Sequence, residues 1–320
     1  MRIPSVIGHV SSRRLVVLLL AIAVAAGSWD AWWHVAVGRD TFWEPPHLLL
    51  YGAAAAAILL SFLSWRRTDS KSWRNLFFIL LGIPASAPFD EVWHRMFGVE
   101  NLSSPLVIWS PPHLVLIFSF LFGLLYGVAR LAREDRNSEA RDFLGSIGFG
   151  AVLWLLYLIF IPFHPLGPYR ILGFWGIGAF AFSLAFTLLF VRRLLPGFQN
   201  VLIAIFVFIL LALMGFAIPS PTVIIPPHVH PPTWLTVFSF LLSAVVIDVL
   251  KGRPLWLAGF LSGFVWVTTL FAFSGAFFSP EFQYGLSQAV SAVISGSAGA
   301  LAAGIVFSWV FTVDYHARWI

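Results

Sequence analysis

The sequence contains no cysteine, and only 10% of its 320 residues are charged. The first absence excludes disulfides, thiolate zinc sites, iron–sulfur ligation and CxxC metal relays, so any metal must be held by nitrogen and oxygen. It leaves the redox compartment open. The second excludes a water-soluble domain, in which roughly 25% of residues carry charge. Methionine is scarce too, at three residues, which argues against a ladder of soft ligands carrying copper(I) through the membrane. What is abundant is apolar: 59% of the residues are hydrophobic, and the solvent of such a chain is largely lipid. The net charge of +5 does not point to nucleic acid, because the basic residues form short clusters between apolar runs instead of lining one face or tail.

A helix needs about 20 apolar residues to cross ~30 Å of hydrocarbon. Runs of that kind recur about ten times, near 15–37, 46–65, 75–97, 111–132, 143–163, 171–192, 200–218, 232–250, 254–277 and 286–312. The expected fold is therefore all-α, a polytopic transmembrane bundle. It divides into a four-helix region, 15–135, and a six-helix membrane region, 140–320. The first run follows Arg13 and Arg14 and contains Ala25-Ala26-Gly27, a pattern shared with cleavable signal peptides. It is expected to be retained, because its end, Trp29-Asp30-Ala31-Trp32-Trp33-His34, is echoed at the end of the internal third run.

Sixteen of the 19 Lys and Arg fall at the two termini and in alternate loops; the other side has only Arg39, Arg95 and Arg170. That asymmetry predicts an integral protein of the cell membrane with both termini cytoplasmic. Seven of the nine histidines, His34, His47, His94, His113, His164, His228 and His230, then lie at the outer ends of helices.

The first four runs contain an internal repeat. Run one ends Asp30-x3-His34 and run two opens Glu44-Pro45-Pro46-His47; run three ends Asp90-x3-His94 and run four opens Ser110-Pro111-Pro112-His113. Residues four apart share a helical face, with Cβ atoms about 5–6 Å apart, so each Asp and His can grip one ion from successive turns. The Pro-Pro pair starts the next helix and presents a first-turn histidine back toward them. Each hairpin thus offers two imidazoles and one carboxylate, a set that suits copper, zinc or non-haem iron and does not choose among them. Trp33, Arg39, Asp40, Glu44, Glu91 and Trp93 are expected around these ligands as orienting neighbours. Trp29, Trp32, Trp43 and Trp109 stand nearby in sequence, and together these rings are expected to dry the site or wall an apolar pocket.

The segment Asp30 to His47, with Trp33 before His34, the run Arg39-Asp40-Thr41 and Pro45-Pro46 before His47, resembles the copper-binding segment of the C subunit of the particulate methane and ammonia monooxygenases. That family carries Asp-x3-His-x12-His there. It also has an adjacent second site whose first ligand is commonly Asn; Asp90, His94 and His113 resemble it, with Asp in that place and eighteen residues instead of twelve between the histidines. The resemblance covers about residues 15–135. It implies copper as the cofactor, dioxygen as co-substrate, hydroxylation of a small molecule such as methane or ammonia, and partner subunits; this chain has a further six-helix region and no soluble copper domain of the B-subunit kind.

In the C-terminal half, Phe163-His164-Pro165 and Pro226-Pro227-His228-Val229-His230 repeat the Pro-Pro-His opening and suggest a degenerate third hairpin. His164, His228 and His230 are candidate additional metal ligands; a rigid proline-rich loop with solvated histidines is the plainer alternative. Three functions are open: a copper-dependent monooxygenase or monooxygenase-like subunit acting in the bilayer, alone, as a homo-oligomer or with partner subunits; a non-catalytic protein for copper binding or delivery; and a zinc-dependent membrane hydrolase, for which Glu44 is the evident acid–base group.

Overall fold

The computed structural model describes residues 5–37, 43–98, 106–135, 138–160, 174–195, 197–216, 233–277 and 285–313, and among them all regular structure is α-helical. The helices are α1 (Ser5–Ala36), α2 (Pro45–Thr68), α3 (Lys71–Leu80), α4 (Gly82–Phe97), the single turn α5 (Leu106–Trp109), α6 (Pro111–Glu134), α7 (Glu139–Phe160), α8 (Phe174–Leu194), α9 (Phe198–Phe216), α10 (Thr233–Val249), α11 (Leu255–Phe277) and α12 (Leu286–Val313). Among the described residues nine spans are long and apolar enough to cross a membrane, with α3 and α4 forming one of them. The described part of α10 is shorter. The expected transmembrane bundle is thus the observed fold.

The third apolar run, expected as one helix over 75–97, is divided at Leu81. Its sequence explains the break. Gly82, Pro84 and Pro88 follow within seven residues of Leu81, and proline within a helix removes a backbone donor and crowds the carbonyl one turn earlier. Gly82 also lets α4 approach α6 closely, since a Cβ there would overlap the Ser119 hydroxyl.

The chain forms two compact units. The first comprises residues 1–155 with 206–224 and contains the whole of the 15–135 region. Its core is the face of α1 carrying Val16, Val17, Leu20, Ala23 and Val24, together with Leu124, Val128 and Leu131 of α6, all buried. Gly148 brings α7 against both, because a Cβ there would come within 2.6 Å of Val128 and 3.2 Å of Val17. In lipid the association of helices depends on such close packing, since apolar burial distinguishes little between protein and acyl chain.

At the beginning of α1, Arg13 is 1% exposed. Its Nε donates to Glu134 Oε2 at 2.6 Å, another of its nitrogens donates to Ser72 Oγ at 2.9 Å, and its guanidinium lies 4.0 Å from the centre of the Trp73 ring. Arg14 pairs with Asp135 and Ser138. The start of α1, the start of α3 and the end of α6 therefore meet at one end of this unit. Arg13 and Arg14, which the sequence offers only as topology signals, are also the clamp that holds three helices in register.

The second unit comprises residues 156–205 with 225–320. Its centre is a glycine-lined contact among α8, α11 and α12. A Cβ on Gly259 or Gly304 would overlap the backbone of the facing helix, one on Gly263 would lie 2.5 Å from the Ala300 side chain, and one on Gly299 would overlap the Gly178 carbonyl. The stretch Gly296–Gly304 is accordingly a packing surface, as its small residues suggest. Phe180 stacks at 4.9 Å on the buried Trp266, and Arg192 donates to the Ile247 carbonyl, tying α8 to α10.

Candidate metal centres

Both Pro-Pro-His segments start helices in the same way. Glu44 is the N-cap of α2 and Ser110 the N-cap of α6; both have extended backbone, with prolines in the first two helical positions. Proline is tolerated there because those amides have no intrahelical partner, and its fixed φ suits the first turn. His47 and His113 are therefore each the third helical residue. Each faces the last turns of the preceding long helix, α1 for His47 and α4 for His113.

At the first hairpin Asp30 Oδ1 lies 3.3 Å from His47 Nε2, and Glu44 Oε2 lies 3.8 Å from His47 Nδ1. One ligand-capable atom from each of Asp30, Glu44 and His47 lies within 4.8 Å of the others. At the second hairpin Asp90 Oδ1 lies 3.5 Å from His94 Nε2 and 3.4 Å from His113 Nε2. The two rings are 6.3 Å apart at 76°, on either side of the carboxylate.

These separations can be set against the spacing of a hydrogen bond and that of two ligands on one ion. A charge-assisted hydrogen bond between imidazolium and carboxylate would be about 2.7–2.9 Å long. Ligand atoms about 2.0–2.2 Å from one tetrahedral ion are set about 3.3–3.6 Å from each other. The Asp–His separations of 3.3, 3.4 and 3.5 Å match the second spacing. The donor set of imidazole nitrogen and carboxylate oxygen also fits copper, zinc or iron, so the residues present fit such an ion.

Electrostatics sharpen the case at the first hairpin. Glu44 is only 5% exposed. Its carboxylate and that of Asp30, no more than 4.8 Å apart, repel by about 3.5 kcal/mol or more at an effective dielectric of about 20. Burial of two such anions calls for positive charge between them.

Asp30 is 17 residues beyond Arg13, about 25 Å along the axis of α1. Since Arg13 joins the starts of α1 and α3 to the end of α6, the Asp–His groups occupy the opposite end of the first unit. The arginine clamp and the Asp–His groups are thus separated by nearly the thickness of the hydrocarbon core.

The expected neighbours behave differently from one another. Trp33 packs edge-on against Trp29 at 5.9 Å, one residue from Asp30, and Trp93 packs on Phe97 at 4.4 Å. Glu91 turns outward, 63% exposed, and pairs with Arg95 at 2.8 Å, so it is not a neighbour of the Asp90 carboxylate. Trp43 is 73% exposed. Glu44 is brought nearer than the sequence suggests, into the group with Asp30 and His47. Its signal was its spacing: a residue three before a first-turn histidine, at the N-cap, lies on the same side as that histidine. The side chain of His34, the residues Arg39 and Asp40, and the candidates His164, His228 and His230 lie outside the described residues.

Nine apolar helical spans among the described residues define the class: the chain is an integral membrane protein of the helical type. Comparison with protein families, with curated proteins and with solved structures finds no match to it.

Proposed function

We propose that this protein binds copper at the two Asp–His hairpins and works as a copper-dependent membrane monooxygenase or monooxygenase-like subunit, using dioxygen on a small apolar or weakly polar substrate. One observation carries the reading: the two hairpins, separated in sequence, bring an aspartate Oδ1 and a first-turn histidine Nε2 to 3.3 and 3.4 Å, a ligand-to-ligand spacing. The resemblance of Asp30 to His47 to the C subunit of the particulate monooxygenases selects copper among the ions these donors suit. Copper, when bound, supplies one-electron exchange and affinity for dioxygen.

The chain's own residues have separable tasks. Asp30 and His47, with His34 one turn from Asp30, hold the ion at the first hairpin; Asp90, His94 and His113 hold it at the second. Pro45-Pro46 and Pro111-Pro112 fix the helix starts that aim the two first-turn imidazoles. Trp29 and Trp33, packed edge-on in the helical turn that carries Asp30, restrict water at the first group. The Lys and Arg asymmetry supports placing both termini in the cytoplasm and both hairpins at the outer face.

Metal analysis and electron paramagnetic resonance of the purified protein test the binding. About two copper per chain, falling by about one in Asp90→Asn, is the expected result. Retention of zinc with no copper would instead favour a hydrolase in which Glu44, close to His47, acts on a zinc-bound water. Copper without oxygen-dependent turnover in the presence of partner proteins would favour binding or delivery.

A further inference from the structure

The two hairpins are built alike, and their N-cap positions differ. Glu44 precedes Pro45-Pro46-His47, whereas Ser110 precedes Pro111-Pro112-His113. Both N-cap residues are buried, Glu44 at 5% and Ser110 at 0% exposure. The first group therefore carries two carboxylates, Asp30 and Glu44, with a carboxylate oxygen of each within 4.8 Å of a His47 nitrogen. At the second, Asp90 is the carboxylate between His94 and His113.

Where water is sparse, a group of charges is stable only near neutrality. With neutral imidazoles, two carboxylates are balanced by a divalent ion. One carboxylate is balanced by a monovalent ion. More carboxylate also makes a site harder and less suited to copper(I).

We infer that Glu44 makes the first hairpin selective for a divalent cation, while the second, with serine in that position, also accepts copper(I), so that the two sites hold copper in different charge states under mild reduction. The inference rests on the reading that both hairpins bind copper. Glu44 acts by its charge beside His47 and Asp30, and the device sits in a single side chain at the start of α2. Nothing in the Asp-x3-His pattern of the two hairpins distinguishes them in this way.

The test uses the full-length protein in lipid nanodiscs, loaded with copper(II) and titrated anaerobically with ascorbate. Ascorbate gives up two electrons as it becomes dehydroascorbate, and each copper(II) takes one. In the unmodified protein the resonance signal should fall in two equal phases, the second needing on the order of tenfold more reductant. Asp90→Asn should remove the first phase, which assigns it to the second hairpin. Glu44→Gln, loaded with copper(II) to the same occupancy, should merge the phases at the lower ascorbate concentration. Ser110→Glu should merge them at the higher one. A single phase in fully loaded unmodified protein overturns the inference and leaves copper binding intact, and it needs no variant to fold. Two phases that persist in Glu44→Gln, or loss of the resistant phase in Asp90→Asn, also overturn it. Failure of the unmodified protein to retain any copper overturns the reading beneath it as well.

Discussion

His47 and His113 hold the same station in two different hairpins. Each is the third residue of a helix opened by two prolines, and each turns its Nε2 toward an aspartate Oδ1 of the preceding long helix, at 3.3 Å from Asp30 and 3.4 Å from Asp90. The equivalence makes their removal an informative pair. His47→Ala should lower copper content by about one ion per chain and leave the second hairpin loaded, and His113→Ala should do the converse. Loss of a donor from a three-ligand set weakens binding by at least the roughly 10–100-fold seen when outer partners are removed. Equilibrium dialysis followed by elemental analysis measures both, and unchanged content in either variant removes that hairpin from the scheme.

The arginine clamp gives a prediction about stability that does not depend on metal. Arg13 is buried at 1% exposure against Glu134, Ser72 and Trp73. Arg13→Ala should destabilise the first unit by about 1–3 kcal/mol, because it removes the buried guanidinium from Glu134, which keeps Arg130 at 3.2 Å, and removes the ring contact. Arg13→Met combined with Glu134→Gln should recover much of that loss, since replacing both members of a buried pair by neutral groups is often nearly neutral. Thermal unfolding in detergent reads the order of the three proteins.

In the second unit Gly299 meets the backbone of Gly178, so that even a single methyl group would overlap its carbonyl. Gly299→Ala should force α8 and α12 apart and cost about 1–3 kcal/mol, the usual range for overpacking. Gly252, with open space where a Cβ would sit but φ +84°, provides a contrasting case in which the strain is confined to the backbone of a loop. Proteolysis rates in detergent should rise more in Gly299→Ala than in a solvent-facing control such as Lys251→Ala.

Most of the bundle was legible because a transmembrane helix has a length set by the bilayer and a composition set by lipid. The break at Leu81 was written in Gly82, Pro84 and Pro88, but the apolar run on either side of it is continuous, and run length alone does not register a kink. The Asp–His groups were legible where spacing along one helix sufficed, as for Asp90 with His94, and where a proline pair fixed a helix start, as for His47 and His113. Glu44 was underestimated because its closeness to Asp30 depends on how α1 and α2 pack. The pairing of Arg13 with Glu134, 121 residues apart, is likewise a consequence of three helices meeting, and no local pattern announces it.

The asymmetry of Lys and Arg carries its own test. With sixteen basic residues at the termini and in alternate loops and three in the remaining loops, a reporter fused after Ile320 should be active in its cytoplasmic form and silent in its periplasmic form. A companion fusion in the loop between α1 and α2 should show the reverse. A periplasmic signal at Ile320 would invert the bundle and move the Asp–His groups to the cytoplasmic face.

The most demanding prediction concerns catalysis. If the two hairpins hold copper through carboxylate and imidazoles, coordination positions remain for a small oxidant. Copper-loaded protein supplied with a reductant, labelled dioxygen and a panel of short alkanes, alkenes and ammonia should then form a product whose new oxygen atom derives from the gas. Asp30→Asn keeps the shape of the side chain and removes the charge that faces His47 at 3.3 Å, so it should lower turnover by about 10–100-fold while leaving the unfolding temperature nearly unchanged. Measuring both quantities on one preparation separates loss of the metal site from loss of the fold. Unlabelled product, or none across the panel with both hairpins loaded and partner proteins supplied, would leave these sites as places where copper is held without being used.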